Sequence, residues 1–167
     1  MTPTQNSCGS PEFAPRLSVA EVEEGTRLAP KFDPEGLMPC VATDAESGEV
    51  LMLGYMNAEA LALTIATGEA HYYSRSRRVL WHKGATSGLV QHVVELRIDD
   101  DQDAVWLKVK VTGSGASCHV GFRSCFYRAI PMQTSGSMLE LVLEFKEKAK
   151  TFDPKEVYGN AENPTRL

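Results

Sequence analysis

The run Val90-Gln91-His92-Val93-Val94-Glu95-Leu96-Arg97-Ile98 leads into Asp99-Asp100-Asp101-Gln102-Asp103 and then Ala104-Val105-Trp106-Leu107-Lys108-Val109-Lys110-Val111. Val90, His92, Val94, Leu96 and Ile98 alternate with their neighbours, and Val105, Leu107, Val109 and Val111 repeat the pattern. A period of two marks a strand with one buried face, so the stretch predicts two antiparallel strands joined at an acidic tip. Upstream, Met38 to Ala42 and Glu49 to Leu53 flank Asp44-Ala45-Glu46-Ser47-Gly48, whose small and polar residues suit a second hairpin. Asn57 is a good N-cap for a helix over Ala58 to Ala66, with Leu61 and Ile65 one turn apart and Gly68 placed to end it. Downstream, Cys125 to Ile130 reads as a short strand. Ser137 with Glu140 makes a capping box for a terminal helix to about Ala149, which would bury Met138, Val142, Phe145 and Ala149. The expected fold class is α+β, with mainly antiparallel strands and two helices.

The chain has 167 residues, 43% of them hydrophobic, enough for one domain with a sizeable core but not for a second enzyme domain. Residues 1–30, rich in Pro, Ser, Thr and Glu, are expected as a flexible N-terminal arm, and residues 31–167 as the working domain. A net charge of -5 argues against a nucleic-acid partner, so any bound phosphate must meet a local basic cluster. Met1 to Arg16 holds no apolar run like a signal peptide, and no later stretch approaches a membrane span. The expectation is a cytoplasmic protein with no membrane partner. Cys8, Cys40, Cys118 and Cys125 are expected to be thiols or metal ligands rather than a disulfide framework.

Three segments carry chemistry. If the acidic tip stays extended, Asp99, Asp101 and Asp103 share a face suited to Mg²⁺ and Asp100 points the other way; a solvated turn is the plainer reading. Cys118-His119-Val120-Gly121-Phe122-Arg123-Ser124-Cys125 holds ligand types that zinc favours. Those cysteines can equally be buried small hydrophobes, and His119 a ligand, a base for an activated water, or a satisfied histidine. Tyr72-Tyr73-Ser74-Arg75-Ser76-Arg77-Arg78, Trp81-His82-Lys83-Gly84 and Thr86-Ser87-Gly88 combine cationic and hydroxyl donors with glycines, as a phosphate site requires. An exposed loop, or a surface that stacks single-stranded nucleic acid, shares that composition.

In this order the segments resemble the phosphoribosyl-AMP cyclohydrolase family. The resemblance runs from about Gly36 to Arg128 and more weakly over Asp153 to Gly159. Its carriers are Val50-Leu51-Met52-Leu53-Gly54-Tyr55-Met56-Asn57, His71 to Arg78, Trp81 to Gly84, Thr86 to Gly88, the Asp cluster, and Cys118-His119 through Ser124-Cys125-Phe126-Tyr127-Arg128. It implies a hydrolase of histidine biosynthesis that opens the adenine ring of 1-(5-phosphoribosyl)-AMP at N1-C6 with zinc-activated water, giving the phosphoribosylformimino-aminoimidazole carboxamide ribotide. It implies an intertwined homodimer with active sites at the subunit interface and a small-molecule nucleotide as substrate. It also implies Mg²⁺ at Asp99, Asp101 and Asp103, and zinc at Cys118 and Cys125. The third zinc ligand would come from the partner subunit, at the position between the first two aspartates. The family commonly has cysteine there; this chain has Asp100, which carries the same formal charge but is a harder oxygen donor. Ala85 stands where the family often has Glu. On this resemblance His119 moves the proton of the attacking water, while Arg75, Arg77, Trp81, Lys83, Thr86, Ser87 and Arg123 bind the substrate's phosphates, sugars and base. A nucleobase deaminase would use similar zinc chemistry, but the chain lacks an H-x-E…P-C-x-x-C pattern.

Overall fold

A computed structural model describes residues 10–132 and 136–165, so Cys8 and the start of the expected arm lie outside it. In chain order the elements are α1 (Val19–Glu24), β1 (Met38–Asp44), β2 (Val50–Met56), α2 (Ala58–Thr67), β3 (His71–Ser74), β4 (Val79–His82), β5 (Gln91–Ile98), β6 (Val105–Val111), β7 (Arg128–Ala129), β8 (Glu144–Phe145) and α3 (Pro154–Tyr158). The fold is α+β with mostly antiparallel strands and three helices.

Both predicted hairpins form. In the first, the Asp44 carboxylate accepts hydrogen bonds from Glu46 N (3.0 Å), Ser47 N (2.8 Å) and Ser47 Oγ (3.0 Å), closing the turn between β1 and β2. The second hairpin pairs β5 with β6, and the two join through a parallel β1–β6 pair in a sheet ordered β2-β1-β6-β5. The simple alternation expected along β5 breaks at a bulge between Val93 and Glu95. Gln91 and Val93 face the core before the bulge and Leu96 and Ile98 after it, so His92 and Val94 are exposed, contrary to the period-two reading.

Asn57 Oδ1 caps α2 by accepting from Ala60 N (2.8 Å), and Gly68 ends the helix in the left-handed region at φ 70. The helix buries Ala60, Leu61 and Thr64, while Ile65 stays exposed. Leu61 joins Met38, Leu51, Met56, Tyr72 and Leu107 in one core, and full burial of each leucine contributes about 2 kcal/mol. The β3–β4 hairpin packs beside α2 and β2, with Thr64 Oγ1 accepting from His71 N (2.9 Å).

The predicted terminal helix is corrected. Ser137 Oγ accepts from Leu139 N (3.2 Å), but only the 3₁₀ turn Met138–Glu140 forms, and the chain then extends to pair β8 with β7. The strand expected over Cys125 to Ile130 is reduced to Arg128–Ala129. Met138, Val142 and Phe145, expected as a buried stripe, are all exposed.

Candidate active site

An open cavity of about 880 Å³ lies against the β3–β4 hairpin and the loops that follow β4 and β6. Arg75, Arg77, Trp81, Lys83, Thr86, Ser87, His119 and Cys125 all line it, although they come from three separate sequence segments. The pairing of Tyr72 with Trp81 builds one wall, and cations sit over its rings: Arg77 5.8 Å and Lys83 5.1 Å from Trp81, and Arg75 3.9 Å from Tyr55. Gly84 sits at φ +91, where a Cβ would lie 2.4 Å from Leu89 C and Val90 N, so the turn that follows Lys83 needs glycine. Arg123 does not line the cavity. Its guanidinium pairs with Asp44 (3.2 Å) and Glu49, bracing the first hairpin.

The cysteine loop folds back on itself through Ser117 N to Arg123 O (2.8 Å) and Cys118 N to Phe122 O (3.2 Å). It docks on β2 through Cys125 N to Leu51 O (2.7 Å) and the Ser124 hydroxyl donating to Val50 O (2.7 Å). Glu147 fixes its far side, accepting from Arg123 N (2.7 Å) and Ser124 N (2.8 Å). Gly121, at φ +102, is needed because a Cβ there would lie 2.5 Å from Phe152 O.

This fold brings the two thiols into contact. The Cys125 S–H is donated to Cys118, and with help from Val120 N–H and the Lys83 ammonium this holds the Cys118 thiol down at about 6, while Cys125 is pushed up by the same contact. Lys83 is buried; burial lowers its pKa against the opposing pull of both sulfurs, and its Nζ donates to Ser117 O at 2.6 Å. Two adjacent sulfurs, one favoured as thiolate beside a cation, are a fitting donor pair for zinc. Burial lowers the pKa of His119, opposed by the Asn163 side chain, and its buried Nε2 has no hydrogen-bond partner among the described residues. A buried polar atom without a partner beside a cavity calls for a ligand or water there.

The acidic tip is elsewhere. Gln91 Nε2 donates to Ser117 Oγ (3.0 Å) at one end of β5, whereas Asp99 follows Ile98 at the other. At about 3.3 Å per residue the strand separates Asp100 from the cysteines by on the order of 20 Å, so one chain cannot bring them to one ion. Asp99, Asp101 and Asp103 do converge, but through a turn rather than an extended face: Asp99 Oδ1 accepts from Asp103 N (2.9 Å) and Ala104 N (3.0 Å), and Gln102 sits at φ 60. Their oxygens lie within 4.8 Å of one another, an oxygen-only set fitting Mg²⁺. Among the described residues this is the only group of three or more such side chains that converges, so His119 is not gathered with the cysteines.

Sequence reasoning gave no site role to Tyr55, which it quoted only within a family motif, nor to the segment from Pro154 to Thr165, which forms a further wall bearing Lys155, Tyr158 and Asn163. The sequence signals there are the weaker family resemblance over Asp153 to Gly159 and the pair Asp153-Pro154, and Asp153 Oδ1 caps α3 by accepting from Lys155 N (2.9 Å).

Known proteins bear on this geometry. A model of the family Phosphoribosyl-AMP cyclohydrolase matches residues 52–127. A phosphoribosyl-AMP cyclohydrolase of Rhodopseudomonas palustris strain HaA2 is 55% identical over 91% of this chain and 99% of its own length. Those of Sinorhizobium fredii and Nitrobacter winogradskyi are 52% and 54% identical over 87% and 84% of the chain, and 93% and 94% of their own.

Proposed function

We propose, because the chain belongs to the phosphoribosyl-AMP cyclohydrolase family of histidine-biosynthesis hydrolases, that it adds water at C6 of 1-(5-phosphoribosyl)-AMP and breaks the N1-C6 bond. The observation that carries this reading is the cavity itself, which gathers cationic, hydroxyl and aromatic side chains around the edge of a thiol pair. The nucleotide's phosphates would be held by Arg75, Arg77 and Lys83 with Thr86 and Ser87, and its base would stack on the Trp81 and Tyr55 side. His119 would exchange a proton at Nε2 with the attacking water, a role that suits a buried imidazole kept neutral. Zinc held by Cys118 and Cys125 would supply activation of water near neutral pH. Mg²⁺ at Asp99, Asp101 and Asp103 would supply an anchor for a phosphate.

The working unit in this reading is a homodimer in which Asp100 of one subunit completes the zinc shell of the other. Two features support it: the separation of the acidic tip from the cysteines within one chain, and the exposed apolar series Phe126, Ile130, Met138, Leu139, Val142 and Phe145. The cytoplasm is the expected location in this reading; no helix among the described residues is long and apolar enough to cross a membrane.

The test is ultraviolet absorbance of phosphoribosyl-AMP mixed with metal-stripped protein that is then given zinc and Mg²⁺ singly and together. Ring opening that requires zinc, and that Cys125→Ser abolishes, is the expected result. Turnover without zinc would overturn the zinc role, and normal turnover by a Cys125→Ser protein with normal zinc content would overturn Cys125 as a zinc ligand. Release of free ammonia instead would point to a deaminase.

A further inference from the structure

The acidic tip is embraced by the segment before residue 31, which the sequence presented as an arm. Gln102, only 5% exposed, spends its whole amide on that segment: Oε1 accepts from Ala29 N (2.8 Å), and Nε2 donates to Val22 O (3.0 Å) and Arg27 O (3.2 Å). Its main-chain oxygen accepts from Lys31 N (2.7 Å). Arg16 ties the same two pieces together, donating to Ala29 O (2.6 Å) and Asp101 O (2.8 Å). The Lys31 ammonium then lies 3.6 Å from the Asp101 carboxylate and 3.8 Å from that of Asp103.

A left-handed glutamine costs on the order of 1 kcal/mol in backbone strain and persists only where its surroundings over-determine it. Here three amide hydrogen bonds do so, and the consequence is a turn tight enough to place three carboxylates together despite their repulsion. The Lys31 charge offsets that repulsion.

We propose that the N-terminal segment is a working part of the cation site: Gln102 and Arg16 set the turn that gathers Asp99, Asp101 and Asp103, and Lys31 is a built-in counter-cation that an incoming divalent ion must displace. The inference rests on the reading of that triad as the Mg²⁺ site. Gln102, Arg16 and Lys31 are positioning residues in this scheme, because none of them offers the ion a ligand. The two kinds of contact act in opposite directions on affinity. Loss of the clamp lets the carboxylates separate and weakens binding, whereas loss of the Lys31 charge removes a competitor and strengthens it.

Mn²⁺ binding to the full-length protein, followed by electron paramagnetic resonance of the free ion in the presence of zinc, reads both effects without any turnover. Lys31→Met is expected to tighten binding about threefold, the size of a screened surface interaction at this distance. Gln102→Ala and Arg16→Met are expected to weaken it, by roughly tenfold and threefold respectively, in line with lost preorganisation of ligands. Arg16 is exposed, so its variant reports on the clamp even if Gln102→Ala fails to fold. If Asp101→Asn binds Mn²⁺ as tightly as the wild type, the triad is not the site and the premise falls. If Asp101→Asn loses binding but Lys31→Met leaves affinity unchanged or lowers it, the counter-cation is overturned. Unchanged affinity in Arg16→Met and in a folded Gln102→Ala would overturn the clamp.

Discussion

Arg123 and Arg77 look equivalent in the sequence, two guanidinium groups beside hydroxyl residues, and the structure gives them opposite work. Arg77 lines the cavity against Trp81, while Arg123 is committed to Asp44 and Glu49. Arg77→Met should therefore raise KM by about tenfold at most modest cost in stability, as loss of a charge-assisted phosphate contact does. Arg123→Met should leave KM within about twofold and lower stability by about 0.5–1 kcal/mol, the worth of partly exposed ion pairs. Steady-state kinetics and urea denaturation of the two variants decide between these roles. Asp44 makes a second case at this scale. Ser47 N–H, the Ser47 hydroxyl, Glu46 N–H and Arg123 together hold its carboxyl below the ordinary carboxylate value. A depressed folded pKa contributes stability that is complete above the unfolded value near 3.8 and is lost as pH falls through the lower folded one. Asp44→Asn should thus be less stable than wild type at pH 7, and the difference should shrink below about pH 4 as wild-type Asp44 protonates. A constant gap down to pH 2.5 in denaturation midpoints would contradict that.

At the scale of elements, what the sequence disclosed depended on how locally each element is specified. The hairpins of β1–β2 and β5–β6 and the capped helix α2 were legible because alternation, Asp44 with Ser47, and Asn57 with Gly68 act within a few residues. The helix expected after Ser137 was not, because its cap acts locally but its stripe finds no surface within the chain; Phe145 instead meets Phe122 (6.0 Å) and Tyr127 (5.8 Å) from an extended backbone. The bulge in β5 was equally invisible, since a strand's period does not announce an extra residue. In the candidate site, the phosphate-type loop and the thiol pair were recognisable by residue type, whereas the wall from Pro154 to Thr165 was marked only by the weaker family resemblance over Asp153 to Gly159, with no cluster of reactive residue types. One buried chain of bonds joins these elements: Tyr72 Oη on β3 donates to Gln91 Oε1 on β5 (2.6 Å), whose Nε2 donates to Ser117 Oγ (3.0 Å) in the cysteine loop. Tyr72→Phe strands a buried acceptor and should cost about 1–3 kcal/mol, read as a lowered Tm. A Tm within a degree of wild type would mean that water satisfies Gln91.

For the molecule as a whole, the apolar series from Phe126 to Phe145 is the feature a single chain does not account for. In the homodimer we propose, it is covered by the second subunit, and the same association brings Asp100 to the partner's sulfurs. Val142→Asp and Leu139→Asp should then convert a dimer to a monomer in sedimentation velocity with the far-UV circular dichroism of the wild type, and turnover should fall with the dimer fraction. A variant that stays dimeric would place the interface elsewhere.

The parallel pairing of β1 with β6 has one more consequence. Each hairpin can close on itself early, for its partners are neighbours along the chain, but Cys40 meets Val105 only after the whole intervening stretch has been drawn into a loop. The seam between the hairpins is therefore the late event in folding, and until it closes both halves expose a bare strand edge to other molecules. This enzyme's vulnerability to aggregation during synthesis lies at the centre of its sheet rather than at its rim.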